Sequence, residues 1–263
     1  MNPPQVRRLS PALGAEVIDL DVTASAAAET VTSLIAEHQV VAVRNQQLTP
    51  DELVMFARRL GDPAVHPLVP HLDGHPEIQE IRNSGKRVTL NEHWHTDVSF
   101  EERPPKYTML FAREVPDIGG DTQFADQYAA YDSLSPGLRD TLDGLRAEHR
   151  GEGLALAMGR DPSDAPSAMH PIARTHPETG RRALYVCRAF TRRVEGWTAG
   201  ESAGLLQFLY ERSSRPDFTY RHRWQTGDLV LWDNRCVLHY AIHDHGDDER
   251  LLHRITVHGE RPV

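Results

Sequence analysis

The sequence predicts an α+β protein whose core is a β-sandwich or jelly roll. Helix-like patterns occur early and in the middle of the 263-residue chain, while short strand-like segments cluster late. The regular alternation of strand and helix that typifies a doubly wound sheet is absent from the sequence. Because no repeat or low-complexity linker divides the sequence, we expect residues 1–263 to form a single domain.

The first elements are a strand, a helix, a strand and a second helix. Residues 14–21 and 39–44 are rich in β-branched side chains and predict strands. Residues 26–37, between them, have helical periodicity. Residues 49–52 (TPDE) predict the start of another helix. Their threonine can cap it, their proline suits its first position and their glutamate completes a capping box.

The rest of the chain is mostly strand-like. Leucines at helical spacing predict a helix within 127–148, and Thr198 with Glu201 predicts another that runs to Leu209. Residues 151–170 have weak periodicity with Gly, Pro and Ser, so we expect a mobile loop there. Strands are predicted at 77–82, 106–113, 183–187, 217–224, 228–232, 236–242 and 250–258.

The composition and charge of the chain exclude several classes of binding partner. The net charge of -9 argues against nucleic-acid binding, which needs a basic surface. An anionic partner must therefore be captured by local positive groups. Two cysteines imply no disulfide framework, and we find no signal sequence and no apolar run long enough for a membrane span. We expect a cytoplasmic protein that binds neither nucleic acid nor membrane.

Histidine and aspartate are paired at a spacing that suits a metal site. The His-x-Asp spacing occurs three times, as His71/Asp73, His95/Asp97 and His245/Asp247. Because it recurs, the spacing alone is weak evidence for a metal site. The first pair lies in a turn-like context and the last in an acidic loop. Only His95/Asp97 continues into strand-like residues, where alternate side chains point to one face and could bind one ion.

His239 is a candidate third ligand. It lies within an apolar strand, where an imidazole without a partner is costly to bury. A core histidine bonded to a backbone carbonyl is the structural alternative. Two imidazoles and one carboxylate suit non-haem Fe(II) because they leave other coordination positions open. Zinc hydrolases also use such ligands, so the ligand types alone do not choose the metal.

Two arginines share one face of the last predicted strand. Arg250 and Arg254 are four residues apart, which is about 13 Å at about 3.3 Å per residue. Guanidinium groups pair with carboxylates and sulfonates through two hydrogen bonds, so the pair could hold two different anionic groups. Structural salt bridges with acids of the chain are the alternative for each arginine.

Several blocks of sequence, in order, are similar to one enzyme family. They are residues 94–100 (WHTDVSF), 119–122 (GGDT), 227–235 (GDLVLWDNR), 239–241 (HYA) and 250–254 (RLLHR). From about residue 10 to 262 the chain resembles the taurine dioxygenase / 2,4-dichlorophenoxyacetate dioxygenase (TauD/TfdA) family. The resemblance implies a double-stranded β-helix (jelly-roll) core with flanking helices.

The resemblance also assigns site residues. It implies that His95, Asp97 and His239 bind Fe(II), and that Arg250, eleven residues after His239, holds the distal carboxylate of 2-oxoglutarate with Thr122. Residues that match the family's substrate contacts are His66, Asn91 and Arg254. Where taurine dioxygenases have a tyrosine, this chain has Val69, which favours an alkyl or aryl anion over taurine itself.

The implied activity is that of an Fe(II)- and 2-oxoglutarate-dependent dioxygenase. It would use O2 to hydroxylate a small anionic molecule, such as a sulfonate, a sulfate ester or an aryloxy or alkyl carboxylate, and release succinate and CO2. Oxidation of an amino-acid-like substrate is the alternative within the same chemistry. A non-catalytic jelly-roll metal or anion sensor and a zinc hydrolase are alternatives from other classes. We further expect a homo-oligomer.

Overall fold

The computed structural model describes residues 4–65, 70–83, 92–157 and 159–263. The strands in this part of the chain are β1 (Gln5–Arg8), β2 (Ala15–Ile18), β3 (Val40–Val43), β4 (Pro63–Ala64), β5 (His71–Leu72), β6 (His75–Asn83), β7 (Tyr107–Glu114), β8 (Thr122–Asp126), β9 (Arg146–Arg150), β10 (Ser167–Pro171), β11 (Ala173–Thr175), β12 (Arg182–Leu184), β13 (Thr191–Val194), β14 (Thr219–His222), β15 (Leu229–Asp233), β16 (Val237–Ala241) and β17 (Arg250–Val257). The α-helices are α1 (Ala27–His38), α2 (Pro50–Leu60), α3 (Gln127–Asp132), α4 (Pro136–Leu142), α5 (Glu152–Ala157) and α6 (Ala199–Ser213).

Two facing sheets form the framework of the site. The large sheet has the order β1-β2-β3-β15-β7-β17-β6-β5, with β4 paired to β17, and the small sheet has the order β14-β8-β16. Their strands pair antiparallel, apart from the parallel β2 and β3. Trp232 and Leu252 of the large sheet pack with Phe124 and Val237 of the small one in a single apolar cluster. The two sheets therefore enclose a common core, as in a jelly roll.

Helices α1 and α2 cover the other face of the large sheet. Val31 of α1 and Phe56 of α2 are buried in an apolar cluster with strand residues that include Val41. The predicted capping box of α2 is confirmed: the Glu52 amide donates to Thr49 Oγ1 at 3.3 Å, and the Thr49 amide donates to the Glu52 carboxylate at 2.8 Å. The same arrangement begins α6.

The helix predicted within 127–148 is present as two short helices, α3 and α4, which are followed by β9. The Asp126 side chain caps α3 by accepting from two amides of its first turn. Ser135 then caps α4, and Pro136 occupies the first position of that helix. Proline is tolerated there but disrupts a helix interior, so the leucine spacing continues across a break that Pro136 imposes.

The prediction of a loop over 151–170 is wrong. Its described residues include α5, a 3₁₀ turn at Pro162–Asp164 and β10. Strand β10 pairs antiparallel with β9, from Ser167 opposite Arg150 to Pro171 opposite Arg146. Because this pairing depends on a partner strand elsewhere in the chain, the weak local periodicity gave no sign of it.

A membrane-spanning helix is not found in the described part of the chain: no helix there is both long enough and apolar enough to cross a bilayer.

Candidate active site

A cavity between the two facing sheets brings most of the predicted site residues together. Thr122 on β8 and His239 on β16 line it from the small sheet. Arg250 and Arg254 on β17 line it from the large sheet. His95 and Asp97, which precede β7, line the same cavity. The site is therefore assembled by the packing of the two sheets.

His95, Asp97 and His239 form a buried cluster in which one ligand atom of each residue lies within 4.8 Å of the others. Asp97 Oδ1 is 3.9 Å from His95 Nε2 and 3.7 Å from His239 Nε2. The two imidazole centroids are 4.0 Å apart. These three side chains are close enough to bind a single ion through two nitrogens and one carboxylate.

The backbone that positions this cluster differs from the strand-like continuation that the sequence indicated after His95. Residues 97–100 form a turn, and Val98 has a φ of 49°, which is rare for a β-branched residue. His95 is held by an isolated antiparallel bridge to His239, with N to O distances of 3.0 and 2.8 Å. The bridge brings the two histidines together, and the turn directs Asp97 towards them.

Each imidazole is prepared for metal binding. His95 Nδ1 lies 2.7 Å from the carbonyl oxygen of His93, to which it can donate. This hydrogen bond leaves His95 Nε2 with its lone pair free. Burial lowers the pKa of His95, and it lowers the pKa of His239 well below its usual value. Both rings are therefore neutral at pH 7, which is the protonation state that binds metals.

Asp97 is held ionised and oriented by its neighbours. Burial alone would raise the pKa of Asp97, but the nearby Arg254 guanidinium contributes to lowering it below its usual range. Thr108 Oγ1 donates to Asp97 Oδ2 at 2.5 Å, and Asn234 Nδ2 donates to Thr108 Oγ1 at 2.8 Å. The Trp232 indole donates to Asn234 Oδ1 at 2.9 Å. This chain of hydrogen bonds holds Oδ2 and leaves Oδ1 facing the histidines.

The donor set fits a non-haem iron site. Neutral imidazoles and an ionised carboxylate are suitable ligands for Fe(II), and three such ligands on one side of an ion leave positions for other ligands. A second buried cluster, His176, Asp233 and Cys236, does not fit a metal site as well. Its aspartate already accepts hydrogen bonds from the Arg235 guanidinium at 2.8 and 2.7 Å, so this cluster is a structural ion pair.

We expect Thr108→Val to weaken Fe(II) binding by about tenfold, a usual loss when a residue that orients a metal ligand is removed. Valine has the shape of threonine but cannot donate to Asp97 Oδ2. The Fe(II) dissociation constant, measured by anaerobic equilibrium dialysis, tests this. Thr108→Ser keeps the hydroxyl and should bind iron as the unmodified protein does. Unchanged affinity in the valine variant would show that Thr108 does not position Asp97.

Arg250 lies buried at the other end of the cavity. Its Nε donates to the carbonyl oxygen of Gly120 at 2.9 Å, and its guanidinium carbon lies 5.8 Å from the ring centroid of Trp224. The Trp224 indole donates to Thr122 Oγ1 at 3.1 Å. These contacts hold Arg250 and Thr122 together in one rigid arrangement.

Arg250 carries a charge that the described residues do not neutralise. Burial lowers the pKa of Arg250 to about 10 although the charge of Asp121 opposes this, so the group remains cationic at pH 7. Within the described ranges, no carboxylate forms an ion pair with it, and its only protein hydrogen bond there is to Gly120. A buried guanidinium with free terminal nitrogens has the charge and the donors to pair with an incoming carboxylate.

Arg254 lies at the metal end. One of its terminal nitrogens is 2.8 Å from Asp97 Oδ1, and the other donates to Gln79 Oε1 at 3.1 Å. The pairing with an acid of the chain, which the sequence left open, is therefore present. The side chain is 16% exposed, and it lines the cavity.

The chain is similar over nearly its whole length to one family of known proteins. The profile of the "Taurine catabolism dioxygenase TauD, TfdA family" matches residues 5–256. The chain belongs to the TauD/TfdA family. It is 36% identical to the alkylsulfatase of Acinetobacter baylyi, over 97% of this chain and 85% of that protein. It is 35% identical to the alpha-ketoglutarate-dependent sulfate ester dioxygenase of Pseudomonas putida, over 93% of this chain and 84% of that protein.

A solved structure of the TauD/TfdA type agrees closely in fold. The crystal structure of a taurine dioxygenase from Burkholderia xenovorans matches with a TM-score of 0.88 and 37% identity, over 99% of this chain and 91% of that one. The predicted α+β jelly-roll class is thereby confirmed. The predicted enzyme class, a non-haem Fe(II)- and 2-oxoglutarate-dependent dioxygenase, is confirmed by the family and its relatives. Neither a zinc hydrolase nor a non-catalytic sensor finds support in them.

Two predicted substrate contacts cannot be placed. His66 and Asn91, and with them Val69, lie outside the described residues. Conversely, the structure shows three residues that the sequence did not single out: Thr108 and Asn234, which support Asp97, and His243, which lines the cavity. Asn234 lies inside the recognised block 227–235, but there it reads only as a turn residue, and Thr108 has no distinguishing signal. His243 follows His239 by four residues, so the strand period that grouped Arg250 with Arg254 could have found it.

Proposed function

We propose that His95, Asp97 and His239 hold Fe(II), and that Arg250 with Thr122 holds the distal carboxylate of 2-oxoglutarate. The observation that carries this is the cavity itself, which has a converged His-Asp-His cluster at one end and a buried cation at the other. Bound iron supplies the activation of O2. The side chains orient the cosubstrate between the two ends, and apolar neighbours such as Leu110 and Leu252 exclude water from it.

We also propose that the primary substrate is a small organic anion, and that an alkyl sulfate ester is the class to test first. Arg254 supports this, because it places a cavity-facing cation beside the metal ligands of a protein with a net charge of -9. Two relatives are named for sulfate esters or alkyl sulfates. Sulfonates and aryloxy or alkyl carboxylates offer the same kind of charge to Arg254.

The proposed reaction on an alkyl sulfate is a hydroxylation followed by cleavage of the carbon–oxygen bond to the sulfate, and both atoms of O2 are accounted for. As 2-oxoglutarate loses CO2, one atom of O2 enters the resulting succinate. The other atom replaces a hydrogen of the carbon that carries the sulfate, which becomes hydroxylated. The bond between that carbon and the sulfate oxygen then breaks, giving an aldehyde and hydrogen sulfate. In this scheme Arg254 holds the sulfate so that its neighbouring carbon faces the metal end.

Substrate-dependent succinate release tests the proposal. Purified protein with Fe(II), 2-oxoglutarate and O2 is assayed with hexyl sulfate, hexanesulfonate, phenoxyacetate and an amino acid. Hexanol, which has the same chain without the charge, is the matched control. We expect an anionic compound to stimulate succinate release well above hexanol. Preference for the neutral alcohol, or no stimulation by any anion, would contradict the proposed substrate class.

Arg254→Ala should raise the KM for the active anion by about tenfold or more, because a hydrogen-bonded charge pair is lost. The affinity for 2-oxoglutarate should change little, since that cosubstrate depends on Arg250 at the far end. Steady-state kinetics with each reactant varied in turn separate the two effects.

The contact between Arg254 and Asp97 requires one further measurement on the same variant, its Fe(II) affinity. A loss of iron binding with an unchanged KM at saturating iron would mean that Arg254 serves Asp97 and not the substrate. A change confined to 2-oxoglutarate affinity would likewise overturn the assignment to substrate.

A further inference from the structure

The cavity has a regular arrangement of side chains along two facing strands. On β16 and its continuation, the alternate residues that line the cavity are His239, Ala241 and His243. On β17 they are Arg254, Leu252 and Arg250. His239 and Arg254 both lie close to Asp97, at 3.7 and 2.8 Å from its Oδ1. Residue 243 is four positions beyond His239 and lines the same cavity as Arg250, so we place it toward the Arg250 end.

The His243 imidazole has polar atoms without partners. Both of its ring nitrogens are buried, and neither has a hydrogen-bond partner in the described part of the chain. A neutral imidazole has one donor and one acceptor nitrogen, and both are costly to leave unsatisfied away from water. A side chain of this kind at the lining of a binding cavity indicates that a ligand supplies the missing partner.

The backbone fixes His243 beside Arg250. The Ile242 amide donates to the Asp121 carbonyl at 2.9 Å, and the Gly120 amide donates to Asp244 Oδ1 at 2.8 Å. The carbonyl of the same Gly120 accepts from Arg250 Nε. Gly120 has a φ of 68°, and a Cβ at this position would lie 3.0 Å from Arg250 Cδ. The loop that contains Gly120 and Asp121 therefore holds both Arg250 and the segment that carries His243.

We propose that His243 is a further binding residue for 2-oxoglutarate, donating an imidazole N–H to the distal carboxylate that Arg250 and Thr122 hold. This rests on the proposed function, in which that carboxylate occupies the far end of the cavity. A single carboxylate has two oxygens with several acceptor sites, so it can accept from a guanidinium, a hydroxyl and an imidazole together.

The protonation state of His243 agrees with this role. Burial lowers the pKa of His243, and the charge of Arg250 lowers it further, while the charge of Glu92 opposes them. The ring is therefore neutral at pH 7 and offers one N–H. Its contribution is a directed hydrogen bond beside the charge that Arg250 supplies.

The test compares two ligands on two variants. 2-Oxopentanoate has a methyl group where 2-oxoglutarate has its distal carboxylate and is otherwise the same molecule. Dissociation constants of both are measured by anaerobic calorimetry on Fe(II)-loaded protein. His243→Leu should weaken 2-oxoglutarate by about tenfold, a usual loss for one hydrogen bond to a charged group, and leave 2-oxopentanoate unchanged. His243→Gln, which keeps a donor, should retain most of the affinity.

His71→Leu is the control. The His71 ring also has a buried nitrogen, Nδ1, without a partner among the described residues, but it lies on β5 and does not line the cavity. Its replacement should change neither affinity. Equal weakening of both ligands in His243→Leu, or unchanged 2-oxoglutarate affinity, would overturn the assignment. If the proposed function itself is wrong, the result is different: 2-oxoglutarate would bind the unmodified protein weakly, or its binding would not depend on Arg250.

Discussion

Replacing Asp97 or His239 by alanine is expected to abolish the release of succinate from 2-oxoglutarate. Either change removes one of three ligands from a site in which the ligand atoms already lie within 4.8 Å of one another. The remaining two ligands neither fix the ion nor keep the open positions on one side of it. His95→Ala should have the same effect. Succinate release and bound iron per chain are measured on each purified variant.

The controls for this prediction come from the chain itself. The pairs His71/Asp73 and His245/Asp247 have the same His-x-Asp spacing, but neither belongs to the described metal cluster. Their alanine variants should retain normal iron content. Circular dichroism shows whether each variant is folded, which matters for Asp97→Ala because it leaves Arg254 without its carboxylate partner. Near-normal iron-dependent activity in Asp97→Ala or His239→Ala would refute the assignment of the ligands.

Arg250→Ala is expected to weaken 2-oxoglutarate binding by about tenfold to a hundredfold. A charge-assisted pair between a guanidinium and a carboxylate contributes about 1.5–3 kcal/mol in a sheltered site, and 1.4 kcal/mol is about tenfold in affinity. The buried Arg250 has no competing carboxylate partner within the described ranges, so little of this is offset by breaking an existing pair. The dissociation constant of 2-oxoglutarate is measured anaerobically on iron-loaded protein.

Two further variants show whether the geometry of Arg250 matters or only its charge. Arg250→Lys keeps the charge but loses the planar fork, so its affinity should be intermediate. Arg113→Ala removes an exposed arginine of β7 and should leave the affinity unchanged. An unaltered dissociation constant in Arg250→Ala would indicate a structural arginine instead.

Features governed by local physical rules were predictable from the sequence. The capping boxes at Thr49 and Thr198 depend on residues three positions apart, and both are present. His239 stood out because an imidazole within an apolar strand needs a partner. The period of two in β17 placed Arg250 and Arg254 on one face, and both line the cavity.

Features that depend on distant pairing were not predictable. The strand expected after His95 is a turn, and the chain brings His95 to His239 through a bridge across many residues. The prediction that His95 and Asp97 lie together did not depend on a strand alone, because it also rested on their spacing and on the family resemblance. Thr108 looks like any threonine of an apolar strand until its hydrogen bond to Asp97 is seen. Pro136 could have been recognised as the break between α3 and α4.

Visible absorption during an anaerobic titration of Fe(II)-loaded protein with 2-oxoglutarate tests the central claim most directly. Chelation of ferrous iron by a 2-oxo acid gives a charge-transfer band, so the band reports the metal and the cosubstrate together. We predict a band that saturates at stoichiometric cosubstrate in the unmodified protein, is absent in Asp97→Ala and requires higher concentrations in Arg250→Ala. No band in the unmodified protein, or an undiminished band in Asp97→Ala, would contradict the proposed site.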